Sequence, residues 1–275
     1  MRKLEKVPVW ILLILGSAVF LLPLLMTLSM SVKPEAELLA SSSWDPPKNV
    51  TWDNYKEVLS NPNVSFLGFF KNSFVIAVTT MLGTLLSCSM VAYAFARLKF
   101  PGQQRMFLIV LATMMLPGVV TMIPTYVLYK YFGWINTFLP LTVPSFFAVG
   151  AFNIFLLRQF FATIPRDLDE AALMDGASHW TIYSRIILPL SGPALATIAI
   201  FTFIGSWRDF MGPLLYLNDL DRQTLELGLS TYASFANAKW HLLLAGSVLV
   251  MIPIVIVFLI GQRYFVKGVS MTGLK

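Results

Sequence analysis

Long apolar runs alternate with short polar stretches along this chain, and six of the runs are long enough to cross a bilayer. They lie at about 9–32, 73–96, 106–129, 137–157, 186–207 and 242–261. A hydrocarbon core of about 30 Å takes about 20 residues of α-helix at about 1.5 Å each. Closed barrels need short segments of strict alternation, and none occur, so the pattern predicts an all-α integral membrane fold with six transmembrane helices. Pro117, Pro124, Pro140 and Pro144 fall in the third and fourth runs, where each removes a backbone donor and bends the axis. Gly83, Ser87 and Cys88 keep part of the second run small enough for close helix approach.

Composition agrees with a membrane solvent. Of 275 residues, 57% are hydrophobic and 12% charged, with a mean hydropathy of +0.72. Placing both ends of the chain on one side puts twelve basic and five acidic residues there, against eight basic and nine acidic on the other. The positive side faces the cytoplasm, which predicts two cytoplasmic termini. This asymmetry accounts for the net charge of +6 without any nucleic-acid partner. Arg2, Lys3 and Lys6 precede an apolar run of more than twenty residues, longer than the roughly 7–15 of a signal peptide, so the run reads as a retained first helix. Cys88 is the only cysteine; no intrachain disulfide can form, and it reads as a packing residue.

The polar residues divide the chain further. Residues 1–70 read as a first membrane helix with an outer connector, and 71–275 as a core of five helices. Within the connector, 53–59 reads as a short amphipathic helix, with Trp44, Trp52 and Tyr55 suited to a membrane interface. None of the six runs contains Asp, Glu, Lys, Arg or His. Ion-coupled carriers use such groups near the midplane, so this chain draws its energy from elsewhere. It also lacks a G-x-x-x-x-G-K-[ST] phosphate loop and cannot be its own ATPase. His179 and His241 have no partners in sequence and read as surface or interface residues, not as ligands.

One loop, at about 165–189, carries more local signal than the rest. Asp167 and Glu170 stand at capping-box spacing, predicting a helix over 168–175 with Leu168, Ala171 and Ala172 on one face. Gly176 suits the left-handed position that ends such a helix, and Ser178 can cap a second one bearing Trp180 and Tyr183. Glu170-Ala171-Ala172, then Gly176, then Ile186, Leu188 and Pro189, give the spacing EAA-x3-G-x9-I-x-LP.

That spacing resembles the docking loop of permeases from ATP-binding-cassette (ABC) importers. SVKPEAE, WDNY, KNSF, YAFARLKFPG, WRDFMGPLLYL, TLELGLSTY and QRYFVKGVSMTGLK extend the likeness, over nearly the whole chain, to the carbohydrate-uptake, MalG-like branch of that family. The resemblance implies a type I importer permease fold in the prokaryotic inner membrane, with the loop forming a cytoplasmic coupling helix. It implies that Asp169, Glu170, Ala171, Ala172, Asp175, Gly176, Leu188 and Pro189 engage an ATPase, and that the tail around Thr272-Gly273 reaches the same interface. The expected partners are a second permease, usually a different chain, two copies of the ATPase and an extracytoplasmic solute-binding protein. ATP and Mg would sit on the ATPase, with no catalytic residue, metal or cofactor on this chain. Arg208 departs from the family's W-N-x-F pattern.

For the cargo, polar and aromatic side chains in the fourth and fifth runs are the candidates: Ser145, Phe152, Asn153, Thr202, Ser206 and Trp207. Each can equally serve as a helix–helix contact. A sugar or oligosaccharide is the expected cargo. Glycerol-phosphate or another polar solute is the alternative, and the charge-free runs argue against a phosphate; an ion-coupled or passive transporter is the remaining reading.

Overall fold

The structure, a computed structural model, describes residues 7–61, 65–233 and 238–272, with side chains described between Pro8 and Arg263. Among the described residues there is no strand. The helices run α1 (Val7–Ser31), α2 (Glu35–Ala40), α3 (Asp53–Ser60), α4 (Phe66–Arg97), α5 (Gln103–Thr113), α6 (Gly118–Tyr131), α7 (Leu139–Thr142) and α8 (Ala151–Thr163). They continue with α9 (Asp167–Met174), α10 (His179–Ile182), α11 (Leu188–Leu190), α12 (Gly192–Trp207), α13 (Met211–Tyr216), α14 (Leu225–Leu229) and α15 (Trp240–Thr272).

Four of the six expected spans are long and apolar enough to cross: Pro8–Ser31, Phe66–Arg97, Leu139–Thr163 and Trp240–Arg263, the third of them leaving the helical conformation at residues 148–150, between α7 and α8. The other two are broken. The third run bends by 96° between α5 and α6, at the residues before Pro117, where proline's ring excludes the α conformation of its predecessor. The fifth bends by 78° at Ser191, between Pro189 and Pro193, so only the 16 residues of α12 continue the span. Length alone does not reveal such breaks, because an apolar run reads the same whether straight or bent. The spans also leave most of their apolar surface open; Leu12 and Phe20 of α1 are 71% and 86% exposed. Such surface suits a hydrocarbon solvent.

The chain divides into two compact units, one comprising the residues up to Leu67 with Leu225–Pro253, the other Gly68–Thr224 with the residues from Ile254 onward. In the first unit the connector is built around the end of α1. Buried Asn54 donates from Nδ2 to Ser31 O at 2.8 Å and Lys33 O at 2.9 Å, capping the helix. Lys33 is itself buried, its ammonium donating to Ser41 Oγ and Ser42 O. The motifs SVKPEAE and WDNY are therefore two halves of one capped corner. His241, read from sequence as a surface or interface residue, is buried, with Nδ1 3.8 Å from the Glu35 carboxylate.

In the second unit one apolar cluster joins α4, α5, α8, α12 and the segment between α10 and α11. Its members include Tyr93, Phe95, Phe107, Leu157, Phe161, Ile182, Ile187 and Ile198. Gly83, Ser87 and Cys88 all meet the turn between α7 and α8. Ser87 Oγ donates to Ser145 O at 2.7 Å, and a Cβ on Gly83 would run into Ser145 and Phe146.

Candidate functional site

The segment following α8 leaves the bundle in an extended turn and forms α9, a helix of eight residues. The expected capping box does not form. Arg166 is the N-cap and its side chain makes no capping bond, because Asp167 already lies inside the helix. Asp167, Asp169 and Glu170 nevertheless occupy the first turn, where the helix dipole favours negative charge. The other end closes as the sequence predicts. Gly176 N donates to Leu173 O at 3.0 Å and Ala177 N to Ala172 O at 2.9 Å, the paired bonds of a Schellman motif with Asp175 as C-cap. Gly176 supplies the required φ of 79°, and a Cβ there would meet nothing within 4 Å. Backbone conformation, not room, selects glycine. Ser178 Oγ then accepts from Thr181 N at 3.2 Å and starts α10.

The face predicted from Leu168, Ala171 and Ala172 is split. Ala172 packs against the apolar cluster, whereas Leu168 and Ala171 are exposed. Asp169, three residues before Ala172, turns inward with it. Its Oδ2 lies 3.3 Å from Arg97 Nη1, with side chains only 16% and 2% exposed. Arg97 ends α4, and its Nη2 also donates to Ile164 O at 2.7 Å. This guanidinium ties the end of one long helix both to the approach to α9 and to α9 itself. Asp169 Oδ1 and Arg97 Nε have no hydrogen-bond partner among the described residues. A buried pair left partly unsatisfied contributes little net stability but fixes position. The outward face carries Glu170, Ala171, Leu173 and Met174, the last 88% exposed, with Trp180 of α10 nearby in sequence and 64% exposed. Leu188 packs against the cluster and Pro189 is exposed, just after a π-helical turn at Tyr183–Ile187. Asp169, Ala172 and Leu188 thus make contacts within their own bundle, whereas Glu170, Ala171, Asp175, Gly176 and Pro189 are exposed.

Elsewhere in the same unit an open cavity of about 500 Å³ lies between α4, α7, α8 and α12. Phe152, Asn153, Thr202 and Ser206 line it, as do Thr80, Gly205 and Asp209. Asp209 is held by accepting from Gly212 N at 3.1 Å, and Thr80 Oγ1 donates to Leu141 O at 3.0 Å. Gly212 lets the carboxylate approach this closely, since a Cβ there would push aside the Asp209 carboxylate and the Leu141 side chain. Among the described lining residues there is one carboxylate and no Lys, Arg or His. Hydroxyls, an amide, a carboxylate and two phenylalanine rings suit a neutral polyhydroxylated ligand.

Two cargo candidates do not line this cavity. Ser145 is buried in the α4 contact and donates to Thr142 O, and Trp207 is fully buried against Phe70 and Phe203. Sequence reading missed Thr80 and Asp209. Thr80 is one weakly polar residue in an apolar run, and Asp209 stands two residues beyond the fifth run; its place in WRDF was the available signal. Arg208 is exposed and lies off the cavity. The expected tail contact falls partly outside the described residues, at Gly273.

The chain matches the family described as binding-protein-dependent transport system inner membrane component over residues 83–271. It is 34% identical to the arabinooligosaccharides transport system permease protein AraQ of Halalkalibacterium halodurans, across 100% of this chain and 99% of that protein. It is 35% identical to the trehalose/maltose transport system permease protein MalG of Thermococcus litoralis, across 82% and 81%. In fold it is similar to a chain of a bacterial ABC transporter involved in import of the acidic polysaccharide alginate, with a TM-score of 0.82, 24% identity and coverage of 96% and 97%.

Proposed function

This chain belongs to the family of inner membrane components of binding-protein-dependent transport systems, and we propose that it carries a neutral sugar or oligosaccharide driven by an ATPase docked on α9. It is a transporter permease subunit, multi-pass in the inner membrane, and not an enzyme. The observation that carries the docking role is the two-sidedness of α9. Arg97 and Ala172 hold its inner face, while Glu170, Leu173 and Met174 stand exposed at the tip. Exposed apolar residues flanked by charge are what a partner's cleft would cover. ATP and Mg are assigned to that partner, and a second permease and an extracytoplasmic binding protein complete the machine. Both termini are assigned to the cytoplasm, together with α9, from the excess of Lys and Arg on that side.

The cargo class rests on the cavity. Asp209 with no lining cation among the described residues repels phosphate and carboxylate groups, which disfavours glycerol-phosphate. The related permeases named for arabinooligosaccharides and for trehalose/maltose support the same class. Likeness to the alginate transporter supports the fold, not an acidic cargo.

The test is reconstitution of the co-expressed complex in vesicles, with ATP on the α9 side and binding protein on the other. Neutral oligosaccharides should stimulate ATP hydrolysis and be taken up, and glycerol-phosphate should do neither. Glu170→Arg should abolish copurification of the ATPase or uncouple hydrolysis from uptake. Normal assembly and transport by that variant would remove the docking assignment; uptake of anionic cargo alone would remove the sugar assignment.

A further inference from the structure

Near the base of α9 a second cavity, about 530 Å³, opens between the end of α4, α5 and the end of α8. Among the described residues three cations line it, Lys99, Arg158 and Arg166, and no acidic residue does. Like charges gathered in one cavity repel, so the arrangement favours an anionic occupant. Arg158 is half-buried, with its guanidinium carbon 4.1 Å from the Phe107 ring centroid and Nε donating to Phe95 O at 3.4 Å. Those contacts use its π face and Nε, leaving the terminal N–H groups for a ligand. Lys99 is exposed, and its ammonium makes no hydrogen bond or ion pair among the described residues.

The lining also has an apolar part. Leu108, 58% exposed, and the half-buried Leu111, one turn further along α5, continue from it into an apolar helix. Cations at the end of a span and leucines along it match a phospholipid, with phosphate at the interface and acyl chain beside the helix. A free phosphate would use the cations and leave the leucines uncovered. We propose that this cavity binds the phosphate of an anionic glycerophospholipid from the leaflet on the α9 side. The site lies beside Arg166, the N-cap of α9, so an occupant would brace the bundle where the coupling helix leaves it.

The test uses the assembled transporter in nanodiscs of phosphatidylglycerol or of phosphatidylcholine. After stripping in detergent, bound lipid is identified by native mass spectrometry, and Lys99 is probed with an amine-reactive reagent. Wild type should retain phosphatidylglycerol in preference to phosphatidylcholine, and phosphatidylglycerol should protect Lys99. Lys99→Ala and Arg158→Gln should each weaken retention roughly five-fold. Equal retention of both lipids, or retention unchanged in both variants, would overturn the proposal. So would protection by millimolar inorganic phosphate equal to that by the lipid, which would mark a simple phosphate site. Protection that depends on the ATPase and not on the lipid would assign the cavity to a protein interface and also overturn it. The Lys99 readout on unmutated protein decides the matter even if a variant fails to assemble.

Discussion

The α9 loop and the α4–α7–α8–α12 cavity belong to one compact unit, yet they encode their roles in opposite ways. The loop is local. A helix of eight residues, a Schellman turn at Gly176 and the Ser178 cap come from one stretch of chain, with one long-range tether at Arg97. The cavity is assembled from four separate stretches of chain, from Thr80 on α4 through Leu141 and the Phe152–Asn153 pair to the α12 end at Asp209. A partner that is common to many transporters needs a portable surface, and a contiguous helix provides one. A cargo site can differ in each transporter, because changing one lining residue leaves the bundle intact. On the proposed roles, the motor's attachment is thus written in one stretch of chain and the cargo site in several.

The sharpest way to break that contrast is at Gly176. Its φ of 79° costs a residue with a side chain roughly 1–2 kcal/mol, and more for a β-branched one. Gly176→Val should abolish ATPase copurification, whereas Gly176→Asn, which tolerates the left-handed region, should retain most of it. If valine docks as well as glycine, the turn is not what presents α9.

The tether comes next. Arg97→Ala leaves Asp169 buried and unpaired, a loss of about 3–5 kcal/mol by analogy with broken buried pairs. We expect a complex that assembles less well and hydrolyses ATP without proportionate uptake, measured as ATP consumed per sugar delivered. Asp169→Asn should be milder, because an amide oxygen can still accept from Arg97. Equal effects of the Asp169→Asn and Glu170→Gln changes on ATPase affinity would place Asp169 on the outer face after all.

What could be read in advance follows the same division. The Gly176 stop and the Ser178 cap were legible because each depends on residues within one turn. The capping box failed because the helix starts one residue earlier than that spacing requires, placing Asp167 and Glu170 inside the first turn with Arg166 as N-cap. The inward turn of Asp169 was not legible, since its partner lies 72 positions earlier, at the end of α4. The six spans were legible as apolar runs and Pro117 marked a bend in the third, but the 96° size of that bend and the 78° break at Ser191 in the fifth were not legible. For the cargo, Phe152, Asn153, Thr202 and Ser206 come together on the cavity, while Ser145 and Trp207 are spent on packing. Polarity in a span marks both uses alike, and only the three-dimensional arrangement separates them.

The cavity's own predictions are smaller. Asp209→Asn removes its one lining carboxylate but keeps an oxygen for Gly212 N. Neutral-sugar transport should fall a few-fold, in keeping with about 1 kcal/mol for one hydrogen bond. Exclusion of anionic sugars should weaken, measured as competition by acidic against neutral oligosaccharides. An unchanged ratio would take Asp209 out of cargo selection.

The smallest effect is expected at Ser145, and it separates packing from recognition. Its Oγ donates to Thr142 O at 2.6 Å, while its backbone oxygen accepts from Ser87. Ser145→Ala deletes the first bond and leaves the second, because the carbonyl is untouched. Thr142 O remains an acceptor for other donors, so the loss should be about 0.5–1.5 kcal/mol, seen as a modest drop in the thermal stability of the purified complex. The cargo concentration giving half-maximal ATPase stimulation should not move, because the hydroxyl faces the α4 contact and not the cavity. If that concentration shifts while thermal stability holds, Ser145 touches cargo, and the boundary drawn between packing and pathway residues must move outward to include it.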